Sequence, residues 1–86
     1  MKYQCPCCDY FTLEEIGTYD ICQICFWEND GLDIDRLDKH SGPNHVTLRE
    51  GRANFILYGA CEEKFMQKVI PEKFRNRYIR LERCPE

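Results

Sequence analysis

The sequence lacks most of the features by which a short chain announces its chemistry. It has no glycine-rich phosphate loop, no dinucleotide-binding glycine motif and no serine on a nucleophile elbow. Nucleotide-dependent and serine-hydrolase chemistry therefore have no anchor here. No apolar run approaches the length of a membrane span. The opening Met1-Lys2-Tyr3-Gln4-Cys5 has no apolar segment of the signal-peptide kind. The expectation is a cytoplasmic protein with no membrane partner and no evident small-molecule substrate. Internal repeats and low-complexity stretches are also missing, unless two cysteine clusters count as a pseudo-repeat. With 86 residues the chain is expected to form a single domain, 1–86.

What the chain does have is cysteine: seven in 86 residues, or about 8%, well above ordinary usage. Small domains bury little apolar surface and often need disulfides or a metal. An odd count and a reducing compartment both argue against a disulfide framework. The spacing argues for a metal. Cys5-x-x-Cys8 and Cys22-x-x-Cys25 are separated by thirteen residues. A two-residue gap lets a tight turn aim both sulfurs at one cation, and two such turns complete a tetrahedron. That geometry suits a structural Zn2+ held by Cys5, Cys8, Cys22 and Cys25. Cys7 offers an alternative pair with Cys5, but only one residue would then separate the ligands. Cys7 is read as the spare, pointing outward or packed as a small apolar group. His40 and His45 could substitute as ligands but are not needed. Cys61 is read as buried and Cys84 as lying near a frayed end.

Four filled positions leave no open coordination site for substrate or water, which argues against an enzyme. The acidic residues Glu28, Asp30, Asp33, Asp35 and Asp38 invite a calcium reading. An EF-hand register placing Gly31 sixth puts Phe26 first and Leu37 twelfth, so that loop fails.

The expected organisation is a small α+β metal-bound fold: a zinc-ribbon or knuckle β-hairpin over residues 1–27, an acidic loop over 28–46, a helical part over 47–70 and a basic tail over 71–86. In the hairpin, Tyr10-Phe11-Thr12 and Thr18-Tyr19 are β-prone, with Gly17 as the turn. Thr47-Leu48-Arg49-Glu50 has the form of a capping box and starts a helix that Gly59 ends or bends. So much of this helix is apolar that it is expected to be well buried. A second helix is expected from about Cys61 to Val69, stopped before Pro71. The tail fits either a helix, through Phe74, Tyr78 and Leu81, or a short strand at 78–81. Two or three short helices result. Trp27, just after the second cysteine pair, is expected to cover the metal cluster.

Net charge is −3 but unevenly spread. Residues 1–45 sum to −6 and residues 46–86 to +3. Lys68, Lys73, Arg75, Arg77, Arg80 and Arg83 flank Phe74 and Tyr78, a pattern that can bind nucleic acid. Glu72, Glu82 and Glu86 dilute the field, so a solvated face is the preferred reading.

Several motifs together resemble one family. Cys5-Pro6-Cys7-Cys8, Tyr19 to Asp30, Gly42-Pro43-Asn44-His45-Val46-Thr47-Leu48, and Asn54-Phe55 running on to Gly59-Ala60 are similar, in order, to the bacterial cysteine-rich CPCC family. The resemblance covers about residues 3–65 and leaves the tail after residue 70 as particular to this chain. It implies a small zinc-binding domain and supplies no activity. Gly51 stands where relatives more often have alanine, at a cost to the helix of up to about 1 kcal/mol. The function that follows is a non-enzymatic zinc-binding module for protein–protein interaction or regulation, an immunity or antitoxin protein being one form. The alternatives are a nucleic-acid-binding zinc ribbon using the tail and a rubredoxin-like iron redox protein, for which the thirteen-residue separation is short.

Overall fold

A computed structural model describes residues 2–85. Two strands, β1 (Tyr3–Gln4) and β2 (Phe11–Leu13), form an antiparallel hairpin, with Tyr3 opposite Leu13 and Gln4 opposite Phe11. The single α-helix among the described residues, α1, spans Leu48–Tyr58. Three 3-10 segments, Ile34–Arg36, Glu63–Phe65 and Glu72–Arg77, punctuate the rest.

The start and end of α1 follow from local chemistry. The Thr47 side chain accepts from the Glu50 amide, and the Glu50 carboxylate accepts from the Thr47 amide at 2.8 Å. The two orphan donors of the first turn thus satisfy each other's residues. At the other end Gly59 adopts φ 76°, and its N–H donates to the Phe55 carbonyl at 2.8 Å. Only glycine takes this left-handed cap without a steric cost.

The helix is less buried than its composition suggests. Leu48, Gly51 and Phe55 form the one buried stripe, while Ile56 and Leu57 are 74% and 71% exposed. The buried stripe follows the i, i+3, i+7 spacing of one helical face; the remaining apolar side chains lie outside it.

Three further expectations are corrected. The segment from Cys61 to Val69 is not an α-helix; it contains only the 3-10 turn Glu63–Phe65. Eleven residues between Gly59 and Pro71 are too few to sustain a helix by propensity, and the backbone is spent on tertiary bonds instead. The Cys61 N–H donates to Cys25 and the Ile70 N–H to Gln23. Second, the Thr18–Tyr19 stretch does not pair with Tyr10–Thr12. Tyr19 donates to the Asn29 carbonyl, and Asn29 donates back to Asp20, so the second cysteine pair sits in its own small hairpin. Third, the tail is not a free basic face. After Glu72–Arg77 it runs extended beside β2, with Arg80 bridged to Tyr10 and the Phe11 N–H donating to Ile79.

The core is built mainly on sulfur and aromatic groups. Cys5, Cys8, Cys22, Cys25, Ile24, Trp27 and Leu48 are all 0–1% exposed. Phe26 and Phe65 pack with ring centroids 4.5 Å apart, tying the 61–70 segment to the second cysteine pair.

Candidate metal centre

The two cysteine pairs fold into near-copies of one turn. In the first, the Cys5 N–H donates to Tyr10 (2.8 Å) and the Asp9 N–H to Cys5 (2.9 Å). In the second, Cys22 donates to Trp27 (2.9 Å) and Phe26 to Cys22 (2.8 Å). Each turn places the residue after its second cysteine in the left-handed region, Asp9 at φ 69° and Phe26 at φ 73°. Non-glycine residues adopt such angles rarely, and they concentrate where the surroundings hold them there. The cysteine clusters are thus a structural pseudo-repeat.

Together the turns bring Cys5, Cys8, Cys22 and Cys25 into one cluster. Their sulfurs lie within 4.8 Å of one another, and all four residues are buried. Cys5 and Cys25 sulfurs are 3.6 Å apart, and those of Cys8 and Cys22 are 3.7 Å apart. These separations are far too long for a disulfide, whose sulfurs lie about 2.05 Å apart. A tetrahedral cation with metal–sulfur bonds of about 2.3 Å would need an edge of about 3.8 Å. Four buried sulfurs near that edge length are positioned to bind a metal ion.

Electrostatics point the same way. Burial drives the Cys8 and Cys25 thiols well above the ordinary cysteine value, because a thiolate there has lost its water. Hydrogen bonds from Cys25, Cys5 and Cys8 draw Cys22 well below that value, and Thr12, whose hydroxyl lies 3.1 Å from the Cys22 sulfur, adds to them. The sulfurs compete for protons in a space that a single cation would serve better.

The other sulfurs take different parts. Cys7 lies outside the four-sulfur cluster; it is 2% exposed and packs inward, with burial as the main cause that raises its thiol. Cys61 is buried and contributes its backbone, donating to the Cys25 carbonyl at 2.7 Å. Cys84 is exposed. His40 and His45 are exposed and lie outside the cluster. His40 bridges Thr47 at the helix start, and His45 turns the chain at φ 63°. Trp27 is fully buried in the same core cluster as the four cysteines, and its ring and the Cys7 sulfur bound the space at Gly51.

Four residues support the site in ways that the sequence reading assigned to none of them. Asp9 is buried, and its carboxylate receives both terminal nitrogens of Arg52 at 2.9 Å and the Nε of Arg83 at 2.8 Å. Burial pushes this carboxyl up, but the hydrogen bonds from Arg52 and Arg83 outweigh it and hold it below its ordinary value. Asn44 is the fourth. Its side chain accepts from the Glu28 N–H (2.8 Å) and donates to the Glu28 carbonyl (2.9 Å), completing a strand-like pair beside the second turn. The Gly-Pro-Asn-His motif was the available signal for Asn44. Nothing in the sequence pairs Asp9 with arginines 43 and 74 positions away.

The charged segments are largely committed. Asp30 accepts from the Ser41 hydroxyl, Asp33 from the Ile34 N–H, and Asp38 from Arg49. Among the described residues no cluster of three or more acidic or histidine ligands forms. In the tail, Arg75 is 6% exposed and donates to the carbonyls of Ile70 and Gly59, while Arg80 donates to the Cys8 carbonyl at 2.9 Å.

The family model described as "Cysteine-rich CPCC" matches residues 3–76, which takes the match past residue 70 and into the tail. No curated protein and no solved structure matches the chain.

Proposed function

The chain belongs to the cysteine-rich CPCC family, and from that premise we propose that Cys5, Cys8, Cys22 and Cys25 hold one structural zinc ion in a non-catalytic module that works by binding another protein. The observation that carries the metal half is the buried cluster of four sulfurs, two of its edges at 3.6 and 3.7 Å. Zinc suits four thiolates because its filled d-shell accepts a tetrahedron without preference. Bound there, it would cross-link the two turns. The chain's own residues do the rest: the turn amides hold the cysteine backbones, Thr12 lies against Cys22, and Arg52, Arg80 and Arg83 bring positive charge beside a centre of net charge about −2. Since four sulfurs complete the coordination, the reading is non-enzymatic. It also takes the working compartment to be reducing, as the cytoplasm is.

The protein-binding half rests on α1. Ile56 and Leu57 are among the most exposed apolar side chains of the chain, and Met66 is 47% exposed beside them in the same groove. A nucleic-acid reading is weaker because Arg75, Arg80 and Arg83 are engaged in backbone and carboxylate bonds within the fold.

Elemental analysis of the protein purified under reducing conditions tests the metal. One zinc per chain in a colourless protein is expected; a coloured protein holding iron would overturn zinc. Chelation should unfold the residues around both turns, and Cys22→Ser should do the same. An unchanged melting curve after verified metal removal refutes a structural ion. For the partner, Leu57→Asp should abolish capture of a stoichiometric protein from lysate and leave the zinc content intact. Capture of none by the unmodified protein, beside measurable turnover of some substrate, would sink the binding role.

A further inference from the structure

The end of the chain is fastened to the first cysteine turn by an unusual density of polar contacts. The Leu81 N–H donates to the Asp9 carbonyl, and Gln4 donates to the carbonyls of both Asp9 and Leu81. The Arg83 N–H reaches the Asp9 carboxylate at 2.8 Å, and its guanidinium reaches the same carboxylate at 2.8 Å. Arg52 closes the arrangement from α1: it holds Asp9 and donates to the Arg83 carbonyl at 3.0 Å. Arg80 and Arg83 also donate to the carbonyls of Cys8 and Cys5, at 2.9 and 3.4 Å. Between this segment and the helix lies a cavity of about 240 Å³, lined by Cys7, Arg52 and Phe55 on one side and by Arg80, Arg83 and Pro85 on the other.

We infer that residues 79–85 form a strap that closes over Cys7 and the first cysteine turn, held chiefly through Asp9, and that its closure and the metal centre strengthen each other. Asp9 follows Cys8 directly, so the carboxylate that anchors the strap is covalently attached to the turn that aims two of the four sulfurs. A turn that has lost its geometry presents neither the Asp9 carboxylate nor the Cys5 and Cys8 carbonyls where Arg80 and Arg83 need them. Coupling of this kind is reciprocal: whatever the ordered turn adds to strap closure, the closed strap returns to metal affinity. Arg80 and Arg83 are positioning residues for the centre and touch no metal ligand atom; they hold its backbone and bring positive charge near it. The coupling rests on the zinc reading above, whereas the strap itself rests on the contacts just described.

The whole 86-residue chain decides both parts, with Arg80→Gln/Arg83→Gln as the test variant and the exposed Arg77→Gln as control. In the unmodified protein N-ethylmaleimide should label Cys84 at once and Cys7 slowly. In the test variant Cys7 labelling and amide exchange across 80–83 should rise about tenfold or more. Zinc transfer to a chromophoric chelator should also quicken, by about 10- to 100-fold, as for other outer contacts of metal ligands. Arg77→Gln should change none of these. Arg83→Lys, which keeps the charge and loses the planar fork, should fall between and guards against a double variant that fails to fold. Unchanged Cys7 labelling and unchanged exchange would overturn the strap. An open strap with unaltered zinc transfer would overturn the coupling alone. If elemental analysis finds no metal, the zinc reading and the coupling both fail, while labelling and exchange still decide the strap.

Discussion

Gly51→Ala sets two well-characterised effects against each other at one atom. Alanine is the best helix former, and replacing a mid-helix glycine should stabilise α1 by up to about 1 kcal/mol. At position 51 the new Cβ would stand 2.9 Å from Cζ3 and 3.2 Å from Cε3 of Trp27, and 3.3 Å from the Cys7 sulfur. The first of these distances is one that real methyl groups do not adopt, so something must move. Trp27 is fully buried and Cys7 is 2% exposed, so neither can swing into solvent. Overpacking of this sort costs about 1–3 kcal/mol. The clash should therefore win, leaving the variant about 1 kcal/mol less stable, or about 4–8 °C lower in Tm for a domain of this size. Denaturant unfolding of the metal-loaded protein measures it, with the midpoint falling and the slope unchanged. Trp27→Phe removes the atoms nearest the new methyl, so Gly51→Ala should be less harmful, or stabilising, in that background. A single variant more stable than the parent by about the full propensity gain would refute the close approach of α1 to Trp27.

Two further outcomes can be checked directly. Asn44→Ala leaves the Glu28 N–H and carbonyl without their partner beside the second turn and should cost about 1–3 kcal/mol, whereas the exposed His45→Ala should cost far less; equal small losses in denaturant unfolding would exclude the strand-like role. Glu50 should titrate below the ordinary glutamate value, because the Thr47 N–H and hydroxyl bond its ionised form. The cap's contribution is then fully present above that ordinary value and is lost as pH falls through the depressed one. An NMR titration of the metal-loaded protein should place the Glu50 midpoint low and return it upward in Thr47→Ala, which should itself cost about 1 kcal/mol; a midpoint at or above the ordinary value contradicts the reciprocal cap.

The family and the cysteine cluster were legible in the chain because both depend on short-range spacing. Two cysteines with two residues between them can aim at one point wherever the rest of the chain lies, and Cys5, Cys8, Cys22 and Cys25 meet within 4.8 Å. Thr47 with Glu50, and Gly59 after Phe55, set the ends of α1 through bonds that span three or four residues. Sequence also set the cysteine chemistry that tolerates a metal, through residue type alone. Tertiary structure decided everything that joins distant segments. It turned the Cys61–Val69 stretch from a periodic helix into a belt around the second turn, since the Cys61 and Ile70 amides found carbonyls on Cys25 and Gln23. It left Ile56 and Leu57 in solvent because α1 turns only one stripe, Leu48, Gly51 and Phe55, into the core, with Gly51 against Trp27. It drew Arg80 and Arg83 out of an apparently solvated tail and onto Cys8 and Asp9, where a buried carboxylate needs cations and an exposed one does not. Charge and periodicity describe what a residue can do locally. Which partner it meets depends on which groups are buried together, and no spacing rule reaches across 74 residues.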